Sequence, residues 1–235
     1  MSSSKADARV PTATPSNVPT WTQSEVASSE SAPQQIPPEQ HGKVFSWADV
    51  KEIIDSNRLD LIRRKPSERL VYKSWSKGIV AAYGSITAYM CAERLRWTPL
   101  PSSCAESGPL FHVVNPIPFG HTEDFRILRN DWPYGSFEPD ITHLIVWLKP
   151  RIPTDPETGL TTPESSQLID AFVHSTFVKR LEQGSLNTDV PEKVMWFKNW
   201  GALQSVRGLE HIHVLVKDVP EKIVEEWTGE TSLQA

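Results

Sequence analysis

The sequence predicts one α+β domain with a mainly antiparallel sheet, helices at its N-terminal side and a disordered tail ahead of it. Three observations predict it. Apolar residues recur at helical spacing between Val50 and Leu95; short β-rich runs follow at 125–128, 143–148, 194–197 and 211–216; and a single helical stretch parts these runs into two pairs.

Residues 1–42 are largely Ser, Pro, Ala, Thr, Gln and Glu, with almost no aliphatic cluster. Such a stretch buries too little apolar surface to offset the entropy of ordering, so it is predicted disordered. Its Trp21 is either a docking residue for a protein partner or an isolated aromatic. The domain is placed at 43–228, with 229–235 again disordered.

Ser46, three residues before Asp49 and just ahead of Val50, Ile53 and Ile54, is a capping-box entry to a helix ending near Asn57. The basic triplet Arg63-Arg64-Lys65 is read as the solvated end of a helix. A second helix starts at Ser67 or Glu68 and carries apolar residues to Trp97, with a break or close crossing expected at Gly78 or Gly84. Five prolines and two glycines make 98–124 a long ordered loop. Phe125–Leu128 is a strand closed by the turn chemistry of Asn130–Gly135, and His143–Leu148 is apolar enough for a central strand. Thr162 or Ser165 caps a helix through Leu181, Gly184 stops it, strands follow at Val194–Phe197 and His211–Val216, and Pro220–Trp227 is a last short helix.

Composition narrows the function. No window of about 18 apolar residues is present, and the N-terminus lacks a basic segment followed by an apolar one, so a cytoplasmic protein, or a nuclear one, with no membrane partner is expected. The cysteines, Cys91 and Cys104, are too few for a disulfide framework. Formal charge of −5 and no long basic run disfavour a nucleic-acid partner. No P-loop, dinucleotide fingerprint, nucleophile elbow or paired-carboxylate pattern is present, and no cofactor is expected.

The chemistry-bearing candidates are histidines. In His211-Ile212-His213-Val214-Leu215-Val216, period-two alternation puts both imidazoles on one face of the strand. Such a pair fits three roles: groups acting on a phosphate, metal ligands with His143 or His121 as a third, or the solvent side of an edge strand. His143 is either an orienting partner of one ring or a satisfied core histidine. Gln204 and Ser205 are either binding groups or an ordinary polar loop.

Four segments recur in an order that resembles the histidine-triad superfamily of nucleotide hydrolases and transferases. They are Asn130-x-x-Pro133; His143-Leu144-Ile145-Val146 followed by Lys149; Thr161-Thr162-Pro163-Glu164; and Gln204-Ser205-Val206 before His211-x-His213-x-Leu215. The resemblance implies a ribose and base site near Asn130, closing histidines that face a phosphate, and His213 as the nucleophile, or His211 if the register slips by two. Three departures stand out: with His213 as the nucleophile Leu215 occupies the third histidine position, the segment from Gln204 to His211 is long for the pattern, and Pro133 and His143 lie ten positions apart.

Over about Phe45 to Lys217 the chain also resembles the fungal N-acetylglucosamine-induced protein family, a domain of unknown function. The phrases that carry this are Arg69–Trp75, Tyr83-Gly84-Ser85, Asn130–Gly135, His143–Trp147, Trp196–Asn199 and Leu203–Val206 through His211–Val214. That likeness implies a fungal protein and imports no reaction. One expectation is a nucleotide or other phosphate ester bound or cleaved by a histidine-dependent hydrolase or nucleotidyl transferase, with His213 and His211 catalytic and Asn130, His143, Gln204 and Ser205 binding; the other is a non-catalytic regulatory or adaptor protein of the amino-sugar response.

Overall fold

A computed structural model describes residues 43–101, 108, 110–183, 190–201 and 203–231. The expected tail at 1–42, Trp21, Cys104, Gly184 and the end from 232 lie outside the described residues.

Four antiparallel strands form one sheet in the order β1-β2-β4-β3: β1 Phe125–Arg129, β2 Ile141–Leu148, β3 Val194–Phe197 and β4 Glu210–Lys217. The two longest strands are central, and their pairing sets Ile145 opposite His213 and Trp147 opposite His211. On one face, Leu144, Val146, Leu148, Ile212, Val214 and Val216 pack with Ile169, Phe172, Val173, Phe177 and Val224. The other face carries His143, Ile145, Trp147, His211, His213 and Leu215. It is covered too, because Phe45, Val50, Ile53, Leu59 and Ile62 lie over Leu215 and Phe197, while Met90, Cys91, Leu95 and Trp97 lie over Ile145 and Trp147. Double coverage explains why β2 and β4 are nearly continuous runs of buried residues.

Helix α1, Trp47–Asp55, begins with the Ser46/Asp49 capping box. Helix α2, Pro66–Tyr83, has proline in its first turn and stops at Gly84, whose φ of +79° a side chain would strain. Ser85 then caps α3, Ile86–Tyr89, which runs on as a π-helical segment Met90–Leu95 and ends at Arg96 in the left-handed region. Thr162 caps α4, Pro163–Val173; a π-helical segment and α5, Lys179–Glu182, continue it. Helix α6, Glu221–Thr228, has Pro220 as its N-cap, one position ahead of the first turn where it was expected. Beyond α6, Glu230 accepts the Arg129 backbone N–H and pairs with Arg94.

Ahead of β1 one buried carboxylate holds residues 114–115, since Asp124 accepts the backbone N–H groups of Val114 and Asn115 and faces Lys149. One sequence expectation is corrected here. Arg63, Arg64 and Lys65 lead from a 3-10 turn at Leu59–Leu61 to the N-terminal end of α2, with Lys65 as its N-cap, but the triplet is not wholly solvated, since Arg64 and Lys65 are partly buried. Proline at position 66 sets that boundary, because it disfavours helical backbone in the residue before it and suits the first helical position. Among the described residues no helix is long and apolar enough to cross a membrane.

Candidate functional site

The covered face of β2 and β4 brings the candidate histidines together. His143 Nε2 lies 2.9 Å from His213 Nδ1, a diagonal contact between paired strands. Asn130, just past β1, presents its amide nitrogen 3.2 Å from His143 Nδ1, and Asn199, just past β3, reaches within 3.2 Å of His213 Nε2. His213 stacks on Phe197 at 4.6 Å and His143 on Tyr134 at 5.3 Å. His211 lies 4.7 Å from the Trp147 ring. All three imidazoles are 4–5% exposed, which overturns the reading of His211 and His213 as the solvent side of an edge strand.

Hydrogen counting assigns the rings. Trp132 N–H donates to the Asn130 side-chain oxygen at 3.0 Å, so the Asn130 amide NH2 is the group facing His143. A neutral His143 accepts it at Nδ1 and carries its hydrogen on Nε2, which donates to His213 Nδ1. His213 then holds its own hydrogen on Nε2, and an Asn199 amide turned with its side-chain oxygen toward the ring is the partner that matches. Both nitrogens of His213 are thereby engaged. His211 differs: its Nδ1–H donates to the Leu209 carbonyl at 2.9 Å, so in the neutral ring Nε2 keeps its lone pair, with no partner among the described residues.

The surroundings keep these rings neutral. Burial, and next the Arg64 charge, hold His143 down at about 3. Burial, then the neighbouring His143 and His211, hold His213 well below the ordinary imidazole value, and burial lowers His211 as well.

Arg64 is the functional candidate that sequence reasoning missed. Its guanidinium carbon sits 4.3 Å from the Tyr72 ring centre and 5.6 Å from that of Tyr134, and one terminal nitrogen donates to the Trp132 carbonyl. Its Nε is buried with no hydrogen-bond partner among the described residues. Two cavities meet at this residue. The inner one, about 60 Å³, reaches Asn130, Trp132, Ser205, His211 and His213; the outer, about 350 Å³, opens past Tyr134 and Asn199 toward α2. Arg64, Tyr72, Tyr134, Asn199, Leu203 and Ser205 line both.

Of the sequence candidates, Asn130, His211, His213 and Ser205 line the inner cavity, and His143 backs His213 from beneath. Gln204 lines neither cavity; it donates to the Asn199 carbonyl at 2.8 Å and braces the turn that carries Asn199. His121 lines neither cavity, its Nδ1 accepting the Glu123 N–H in a 3-10 turn. Among the described residues no group of three or more His, Cys, Asp or Glu side chains is arranged to hold a metal ion.

The family model described as "Protein of unknown function (DUF3605)" matches residues 46–217. N-acetylglucosamine-induced protein 1 of Candida albicans is 33% identical over 79% of this chain and 73% of its own length. An uncharacterized protein of Saccharomyces cerevisiae, YPL067C, is 26% identical over 73% of this chain and 78% of its own. Among solved structures, the crystal structure of HTC1 is similar, with a TM-score of 0.56 and 25% identity, covering 76% of this chain and 87% of that one. The chain belongs to the DUF3605 family, which has fungal members.

Proposed function

We propose that this DUF3605 protein binds a nucleotide or another phosphate ester where its two cavities meet and cleaves it through the His-x-His strand. The observation that carries the reading is Arg64, a partly buried guanidinium beside a cavity, with an unsatisfied Nε and no carboxylate partner among the described residues. Buried cations are ordinarily paired, and an unpaired one facing a cavity is completed by an anion. A guanidinium suits the planar, forked geometry of phosphate oxygens.

The histidines divide the remaining work. His211 is the nucleophile in this reading, because its Nδ1–H is anchored on Leu209 and its Nε2 lone pair is unengaged. Attack by Nε2 forms an N–P bond as the P–O bond to the leaving group breaks, and water then hydrolyses the phosphohistidine. Arg64 and the Ser205 hydroxyl offset charge on the phosphoryl oxygens. His213, held by His143 and Asn199, is a positioning residue. The second of the two registers considered from sequence is therefore the one preferred. A non-catalytic regulatory or adaptor role is the second reading, favoured by the near-complete burial of all three rings.

A thermal-shift and calorimetric screen of the full chain against nucleotides, sugar phosphates and nucleotide sugars tests this, since a ligand that binds only the native state raises its stability. Arg64→Gln is expected to weaken the best ligand about tenfold or more, the worth of one charge-assisted hydrogen bond. His211→Asn should retain binding and abolish phosphate release, whereas His213→Asn should slow it less. Binding that survives Arg64→Gln unchanged refutes the site. Tight binding without turnover in the unaltered protein selects the regulatory reading.

A further inference from the structure

The outer cavity carries more positive charge than one phosphoryl group uses. Its walls include Lys43, Arg63, Arg64, Lys65, Arg69 and Lys73, and no aspartate or glutamate, in a chain whose net charge is −5. Three of these cations have carboxylate or carbonyl company, Lys43 with Asp49, Arg63 with the Asp60 carbonyl and Arg64 with the Trp132 carbonyl. Lys65, Arg69 and Lys73 have no ion pair among the described residues. They recur every fourth residue along the start of α2, so they form one stripe about 12 Å long at 1.5 Å per residue. Like charges at that spacing repel and weaken a helix. The repulsion is relieved if an anion lies along the stripe.

Tyr72 joins the stripe to the inner site, since its ring stacks under Arg64 and lines both cavities. A volume of about 350 Å³ falls within the range of roughly 300–1,000 Å³ that small-molecule sites occupy. We infer that the ligand is a di- or polyphosphate ester, with one phosphoryl group at Arg64 beside the histidines and the next along Lys65, Arg69 and Lys73. This deepens the phosphate-ester reading and rests on it.

Inorganic orthophosphate, pyrophosphate and tripolyphosphate are the probes, titrated calorimetrically into the full chain at fixed ionic strength. Tripolyphosphate should bind at least about tenfold tighter than orthophosphate, the advantage of additional charge-assisted contacts. The double variant Arg69→Ala/Lys73→Ala alters two exposed side chains and should erase most of that difference while leaving orthophosphate binding unchanged. Lys179→Ala/Lys222→Ala removes the same charge outside both cavities and should leave the difference intact. Equal affinity for the three probes, or equal losses in the two double variants, overturns the second subsite while orthophosphate binding that needs Arg64 preserves the inner one. Failure of every probe to bind overturns both.

Discussion

Lowering the pH from 7 to 5 is expected to destabilise the domain strongly, because buried histidines that stay neutral in the fold become charged when it opens. His143 is the clearest case, held at about 3 by burial and by Arg64. An exposed imidazole in the unfolded chain titrates near 6.5, so below that value the unfolded state binds a proton that the folded state does not. The folded-state value is depressed, so the contribution of neutral His143 is complete above about 6.5 and is lost as the pH falls toward 3. At about 1.36 kcal/mol per pH unit, the interval from 6.5 to 5 removes about 2 kcal/mol through His143 alone. His213 and His211, lowered chiefly by burial, act with the same sign. Most carboxylates titrate near 4, below this window, so the loss reports on imidazoles. Urea denaturation at pH 7 and pH 5, read by tryptophan fluorescence, measures it as a fall in midpoint with an unchanged slope. Equal stability at the two pH values would refute the burial and neutrality of these rings.

Other expectations follow from single contacts. Asp124→Ala should cost about 2–3 kcal/mol in the same assay, because the Val114 and Asn115 N–H groups lose their acceptor. Ile212→Ala, at a fully buried position of the larger core, should cost about 2–5 kcal/mol. Gly84→Ala should cost roughly 1–2 kcal/mol through backbone strain alone, since open space surrounds the added carbon. Cys91, whose thiol burial pushes up to about 11, should resist alkylation at pH 8 until the protein unfolds, as mass spectrometry after iodoacetamide would show.

Local chemistry carried much of the fold. The Ser46/Asp49 capping box, the break expected at Gly78 or Gly84 and found at Gly84, and the four strand runs rest on residues close in sequence, and each falls within a few positions of the observed element. Alternation likewise put His211 and His213 on one face without reference to the rest of the chain. Whether that face met solvent was beyond the strand itself, because its cover comes from segments around Phe45–Ile62 and Met90–Trp97. The His143–His213 contact needed the strand register, and the partnership of Asn199 needed the fold of the segment after β3. Arg64 was hidden by its basic neighbours. Pro66 marks where the helix begins, but not that the approach to it carries Arg64 inward against Tyr72 and Tyr134.

The chemistry proposed for this site depends most directly on the chemical state of His211 and on what reaches its unengaged nitrogen. A long-range ¹H–¹⁵N correlation spectrum of histidine-labelled protein at pH 7 reads both, before and after addition of inorganic tripolyphosphate. His211 is expected as the Nδ1–H tautomer and His213 as the Nε2–H tautomer, with the His211 Nε2 resonance moving as the ligand saturates. A His211 protonated on Nε2, or ligand-induced shifts confined to His112, His121 and His174, which line neither cavity, would contradict it.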